Sequence, residues 1–164
     1  MKRAIPIFEA IHPNCIAVFA FDNSQGHSMY ASDALIAHKM NLNPGGKQPL
    51  MRATTFNGTR QEMVYPLNYH VESLRGKAKG LKVVLEERGL WPGGRLLAKC
   101  KEECRRDDCC AQRIMSLQED FKAQKPLLQE TIENLGHKCI FYPKFHCELN
   151  YIEYFWGAAK RYCR

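Results

Sequence analysis

A continuous apolar run near the start of the chain constrains the fold more strongly than any other feature. Residues 16–22 read IAVFAFD and are rich in β-branched and aromatic side chains, without the polar alternation of a half-exposed strand. Such a run is typical of a strand covered on both faces, as in a parallel or mixed sheet. The run stops at Asp22, and the polar residues 23–26 predict a loop after it.

Helical patterns before and after this strand predict an α/β fold. Ile5, Phe8 and Ile11 have helical spacing, and Ser32 is a favourable N-cap for a second, short helix. The later patterns predict, in chain order, loop or short strands over 45–70, a helix within 71–90, a helix within 121–137 entered at Pro126 and closed by Gly136, a strand over 138–143 and a final helix over 151–163. Helices that alternate with strands favour a layered α/β arrangement.

The positive charge is concentrated in the middle of the chain. The formal net charge is +7, and the stretch from Lys39 to Arg113 contains fifteen Lys and Arg but eight Asp and Glu, so the remaining residues balance. We therefore predict a basic insertion over 41–118, within a domain formed by 1–40 and 119–164. Such a segment suits a polyanion, most often a nucleic acid such as DNA. A solvated basic face is the alternative.

Four cysteines lie close together in this predicted insertion. The stretch CKEECRRDDCC supplies thiols at Cys100, Cys104, Cys109 and Cys110. Zinc takes four such ligands in a tetrahedron, so a zinc site is one hypothesis. Reduced, unligated thiols are the alternative, because the side chains of adjacent cysteines are expected to diverge. Further candidates to complete a zinc site are His137, Cys139, His146 and Cys147.

The N-terminal residues resemble a signal peptide only superficially. Two basic residues precede an apolar stretch, but Glu9 and the polar residues 12–14 interrupt it, and no small-residue cleavage site follows. We expect these residues to belong to the fold, which favours free thiols or metal ligands over disulfides. Cys15 and Cys163 are expected to be core cysteines. No apolar run approaches the ~20 residues that a membrane-spanning helix needs, so no membrane partner is expected.

Two carboxylates are candidates for chemistry. Asp22 follows the apolar strand, and the carboxyl ends of strands in an open α/β sheet border the ligand crevice, although an Asp there is also a common turn residue. His27 follows in the same loop. Glu153 lies at the edge of the apolar stripe of the last helix. The alternative role for Glu153 is in a capping box, with Asn150 as N-cap. The stripe consists of Ile152, Phe155, Trp156, Ala159 and Cys163.

Two of these segments resemble a known family. FDNSQGH (21–27) is similar to the Asp-Asn-x-x-x-His segment of mariner-like transposases. YPKFHCELNYIEYFWGAAK (142–160) resembles their segment around Leu-Asn-Pro-Ile-Glu-x-x-Trp, with Tyr151 in place of the usual proline. The resemblance covers residues 1–40 and 120–164 and is greatest to DDE-superfamily endonucleases of fungal mobile elements.

The resemblance implies a ribonuclease-H-like fold, partial in this chain, and metal-dependent DNA cleavage and strand transfer, as in transposition and DNA integration. In that family three carboxylates hold two Mg²⁺ or Mn²⁺ ions, which activate the attacking oxygen and stabilise the leaving oxygen. Asp22 would be the second acid and Glu153 the third. The supporting residues would be Asn23, His27, Asn150 and Trp156. A nuclear location would follow from this function alone.

Two departures from the family pattern limit the expected activity. The first acid belongs on a strand upstream of Asp22, and the sequence has no candidate there. The 131 positions between Asp22 and Glu153 exceed the few dozen of compact relatives. We therefore expect an N-terminally truncated, inactive part of a transposase, unless another transposase chain supplies the missing acid. The alternative function is a non-catalytic DNA-binding or zinc-stabilised module.

Overall fold

The chain forms two compact units. The computed structural model describes residues 3–144, 149 and 151–163, with residues 151 and 153 described by their backbone alone. The first unit comprises Met1–Ala31 with Lys125–Arg164, and the second comprises Ser32–Gln124. The structure is mixed α/β, as the sequence predicts.

The described residues contain six α-helices and four short strands. In chain order they are α1 (Ala4–Ile11), β1 (Val18–Phe21), β2 (Thr54–Phe56), β3 (Thr59–Gln61), α2 (Leu81–Glu87), α3 (Ala111–Ser116), α4 (Glu119–Lys122), α5 (Leu127–Asn134), β4 (Lys138–Phe141) and α6 (Tyr151–Tyr162). Two short 3-10 helices lie at Ala37–Lys39 and Glu72–Leu74. No helix in the described part of the chain is long and apolar enough to cross a membrane.

The first unit is built around a parallel pair of strands. β1 pairs with β4 in a register that runs from Val18–Lys138 to Phe21–Phe141. One face of the pair packs on a core formed by Ile5, Ile132 and Cys139 together with Phe19, Phe21, Leu128 and Phe141. The other face is open, since the side chains of Val18 and Ile140 are 58% and 49% exposed. The prediction that this strand is covered on both faces is therefore wrong for the described residues.

The two helices in the C-terminal segment of this unit form where the sequence predicts them. α5 begins after Pro126, whose fixed φ suits a helix start, and ends before Gly136, whose φ of +81° terminates the helix. α6 also occupies its predicted range. Its apolar stripe is exposed, however, and Phe155 is 75% exposed. Cys15 and Cys163 are exposed as well, so the prediction that they are core cysteines is wrong.

The second unit departs from the predicted helices because of long-range contacts. The helix predicted within 71–90 is confined to α2, since Gly76 has a φ of +67° and Gly80 lies against the backbone of residues 42–43. The helix predicted from Ser32 is also absent. Instead, Asp33 accepts hydrogen bonds from Arg52, one at its carbonyl from the backbone N–H and one at its carboxylate from Nη2, each 2.8 Å long.

A buried ion pair connects several elements of the second unit. The guanidinium of Arg88, at the end of α2, donates to both carboxylate oxygens of Asp120 on α4, at 3.0 and 2.6 Å. Its Nε donates to the Gln61 side chain on β3 at 2.8 Å, and its plane lies over the rings of Phe56 and Phe121. Arg88 therefore joins the β2–β3 hairpin, α2 and α4 at one point.

Candidate functional site

The four cysteines of the second unit converge because the chain folds back at α3. The backbone N–H groups of Ala111 and Gln112, the first residues of α3, donate to the carbonyls of Leu97 and Ala98 at 2.9 and 3.0 Å. This pairing places Cys100 beside the segment 109–110. Cys110 has an extended backbone, with φ −158° and ψ 161°, immediately before α3.

The four thiols lie close enough together to hold one metal ion. The sulfur atoms of Cys100, Cys104, Cys109 and Cys110 all lie within 4.8 Å of one another. Those of Cys104 and Cys110 are 3.7 Å apart. A tetrahedral Zn–S distance of about 2.3 Å implies sulfur separations of about 3.8 Å. The four cysteines therefore form a cluster that could bind a metal such as zinc. The expectation that the adjacent thiols of Cys109 and Cys110 diverge is wrong.

The thiols of the cluster perturb one another's ionisation. A hydrogen bond to Cys109, burial and the neighbouring thiols raise the pKa of Cys100 to about 12. The pKa of Cys104 is also raised, chiefly by its hydrogen bond to Cys109. Burial raises the pKa of Cys110, but hydrogen bonds from the backbone amides of Arg113 and Cys100 and from the thiols of Cys104 and Cys100 together outweigh it and leave the pKa below its usual value. A metal must therefore displace protons from this cluster in order to bind.

Several basic side chains close to the cluster in the sequence form no ion pair with any described residue. Arg95, Lys99, Lys101 and Arg105 are exposed, and within the described residues none of them forms an ion pair. Arg106 and Arg113 differ, since they pair with Asp108 at 3.0 Å and Asp107 at 2.7 Å. The four unpaired cations are named here the basic loop. The exposed carboxylates Glu102 and Glu103 lie among them, so four positive and two negative charges leave a local excess of two positive charges.

The second candidate site lies at the carboxyl edge of the parallel strands. Asp22 directly follows β1, and its Oδ1 lies 2.6 Å from Nδ1 of His27 and accepts the backbone N–H of Ser24 at 3.1 Å. These hydrogen bonds, with that to Ser24 the largest, hold the pKa of Asp22 below its usual value. The carboxylate is therefore ionised at neutral pH. The bond to Ser24 is also the one that an Asp makes in a turn, so this geometry is compatible with both roles of Asp22.

The two sequence segments of this site are joined by a direct hydrogen bond. The Asn23 side-chain amide donates to the Tyr142 carbonyl, immediately after β4. The backbone N–H of Tyr142 donates in turn to the Phe21 carbonyl at 2.8 Å. The segments 21–27 and 142–160 thus begin side by side.

Several predicted site residues are placed elsewhere or not described. Asn150, His146, Cys147 and the side chain of Glu153 lie outside the described residues. Trp156 is 56% exposed on α6. The potential metal ligands that group together within the described part of the chain are the four cysteines. His137 and Cys139 do not join them, because His137 Nδ1 accepts the Ala17 N–H and Cys139 packs in the core of the first unit.

Sequence reasoning did not identify the residues that assemble these sites. Leu97, Ala98 and Tyr142 contribute backbone carbonyls. Every residue has a backbone carbonyl, so the residue type does not show which carbonyls take part in a site. The basic loop was visible only as part of a wider charge excess. Its individual residues become distinct once the ion pairs of Arg106 and Arg113 are known.

No protein-family model, no curated protein and no solved structure matches this chain. The resemblance to DDE endonucleases therefore stays a prediction.

Proposed function

We propose that the second unit is a zinc-stabilised, DNA-binding module within a transposase-derived protein. The observation that carries this proposal is the convergence of four thiols within 4.8 Å. Zinc accepts four cysteine ligands and can supply much of the folding free energy of a small unit. The segment that includes the cluster is otherwise short of structure, since no α-helix or strand lies between α2 and α3 within the described residues.

The basic loop supplies the chemistry for the DNA contact. Lys99, Lys101 and Arg105 each adjoin a proposed metal ligand in the sequence, so metal binding would fix their spacing. When unpaired cations neutralise DNA phosphates, the counterions condensed on the DNA are released, so the affinity for DNA falls steeply as the salt concentration rises. Paired cations such as Arg106 contribute less, because a neighbouring carboxylate already neutralises them.

Zinc content and DNA retention test this function together. Elemental analysis should find one zinc per chain, and the double variant Cys100→Ser, Cys104→Ser should lose both the zinc and retention on a DNA column. Cys15→Ser, at an exposed cysteine outside the cluster, is the control and should change neither. DNA retention by a variant without zinc would contradict the proposed role of the metal.

Salt dependence identifies the cations that contact DNA. The plot of log affinity against log salt concentration has a negative slope. Replacing Lys101 and Arg105 with Ala should make this slope shallower by about two, since each phosphate contact contributes about one. Lys82→Ala is the matched control, because Lys82 already faces Glu86 at 3.8 Å. An unchanged slope in the double variant would remove the basic loop from the interface.

A second candidate function concerns the first unit. We propose that it derives from the DDE endonuclease domain, with Asp22 and Glu153 as the second and third acids and with Mg²⁺ or Mn²⁺ as the cofactor. The observation that favours it is the hydrogen bond from Asn23 to Tyr142, which joins the two family-like segments at one sheet edge. Within the described residues Asp22 belongs to no group of three potential metal ligands. We propose that this unit does not cleave DNA by itself, because two carboxylates fall short of the three that hold the two metal ions in the family it resembles.

Calorimetric titration with Mn²⁺ tests this second candidate. Binding should be weak and should disappear in both Asp22→Ala and Glu153→Ala. Glu62→Ala, which removes an exposed carboxylate of the second unit, is the control and should bind as the natural sequence does. Equal Mn²⁺ binding by the natural sequence and both test variants would refute a shared carboxylate site.

A further inference from the structure

We propose that the cysteine cluster is a redox-controlled site, in which peroxide joins Cys104 to Cys110 and expels the zinc. This inference rests on the zinc site proposed above and names its regulation. It depends on the positions of the sulfur atoms and on their unequal exposure.

Cys104 and Cys110 are the pair of thiols best placed to form a disulfide bond. Their sulfur atoms are 3.7 Å apart. A disulfide bond is about 2.05 Å long, so closure requires an approach of about 1.7 Å. Five residues separate the two cysteines in the sequence, which gives the loop between them room to adjust. Cys109 and Cys110, in contrast, are neighbours with no such loop.

Exposure decides which sulfur meets the oxidant first. Cys104 is exposed, Cys100 and Cys109 are half-buried, and Cys110 is buried. The segment 101–108, which contains Cys104, is exposed throughout and makes no strand or α-helix. A peroxide therefore reaches Cys104 from solvent, while Cys110 is held beneath it at the start of α3 as the resolving thiol.

The chemistry is a two-electron oxidation with a peroxide as the oxidant. The Cys104 sulfur attacks one peroxide oxygen, the O–O bond breaks, and protonation gives a sulfenic acid at Cys104 and a molecule of water or alcohol. The Cys110 sulfur then attacks the sulfenic sulfur, the S–S bond forms, and the S–O oxygen leaves as water. The two sulfurs lose two electrons and the peroxide gains them.

Loss of two thiolates removes half of the ligands of the metal. Cys100 and Cys109 alone do not complete a tetrahedral site, so Zn²⁺ dissociates and these two thiolates take up protons from solvent. A thiol reductant should restore the cluster. The basic loop would then lose and regain its fixed spacing with the redox state.

The test is zinc release from the reduced, zinc-loaded full chain. Treatment with hydrogen peroxide should release one zinc per chain, detected with a chromogenic chelator. Peptide mass spectrometry should find a Cys104–Cys110 disulfide, and reductant with added zinc should reverse both changes. The background variant Cys15→Ser, Cys163→Ser removes two exposed thiols outside the cluster and should behave identically.

The outcomes separate this inference from the zinc site itself. Zinc that stays bound under conditions that fully oxidise the exposed Cys15 overturns the switch and leaves the zinc site intact. Release accompanied by a different disulfide overturns the assignment of the pair. A reduced chain that contains no zinc overturns the proposed zinc site and this inference together.

Discussion

Removal of the carboxylate partner of Arg88 should destabilise the second unit severely. The Arg88 side chain is fully buried, and both of its terminal nitrogens donate to Asp120. In Asp120→Ala the guanidinium would keep the Gln61 side chain and the two aromatic rings as neighbours, but no anion. Breaking a buried pair in this way typically costs about 3–5 kcal/mol.

The size of the unit converts this cost into a melting temperature. The second unit spans Ser32–Gln124. For a domain of this length each kcal/mol corresponds to about 4–8 °C, so the expected fall is at least about 12 °C. Thermal unfolding followed by circular dichroism measures it. Asp120→Asn, which keeps one acceptor oxygen but no charge, should fall by less and remain folded.

Two further variants separate burial from ion pairing as such. Glu62→Ala breaks the exposed pair of Arg60 and Glu62, whose atoms are 2.6 Å apart, and should cost at most about 1 kcal/mol. The double variant Arg88→Met, Asp120→Leu should recover most of the stability lost in Asp120→Ala, because no charge stays buried. Equal losses in Asp120→Ala and Glu62→Ala would refute the reasoning.

Three other predictions follow from the same contacts. Burial raises the pKa of Asp120, but hydrogen bonds from Arg88 and Thr54 outweigh it and leave the pKa below 3.8. The contribution of Asp120 to the free energy of unfolding should therefore be complete above about pH 4 and disappear as the pH falls through the lowered pKa. Acid unfolding of the natural sequence and of Asp120→Asn measures this contribution. Gly80→Ala should cost more than about 1 kcal/mol, since the new Cβ would lie 2.7 Å from the carbonyl oxygen of Asn43 and even closer to the carbonyl oxygen of Leu42. In Gly26→Ala the new Cβ meets nothing within 4 Å, so this variant should be neutral in the same thermal assay. Zinc binding at pH 7 should release at least two protons, because the pKa values of Cys100 and Cys104 are raised, and calorimetry in buffers of different ionisation enthalpy would count them; no release would mean that these thiols do not ligate.

The elements that the sequence predicted correctly are those with local signals. β1, α5 and α6 each combine a run or periodicity of apolar residues with a nearby terminator, such as Gly136 after α5. The helix predicted within 71–90 forms only over α2, because Gly76 has a positive φ and Gly80 adjoins the backbone of residues 42–43, a contact that no local pattern encodes. The helix predicted from Ser32 is wrong for a related reason, since Asp33 pairs with Arg52 nineteen residues further along.

In the candidate sites, too, the features that depend on local sequence were predictable and those that depend on long-range contacts were not. The spacing of the four cysteines left a zinc site and unligated thiols as alternatives. The pairing of Leu97 and Ala98 with the start of α3 is what brings their sulfur atoms together. Asp22 could be predicted from its position after an apolar strand. Its link to the second family-like segment depends on the parallel pairing of β1 with β4, whose partners lie 120 residues apart.

X-ray absorption spectroscopy of the purified, reduced chain at the zinc edge tests the central claim most directly. One zinc per chain should be bound by four sulfur atoms at about 2.3 Å, and the Cys100→Ser, Cys104→Ser variant should lose it. A chain without zinc, or a zinc ion bound mainly by nitrogen or oxygen, would contradict the account.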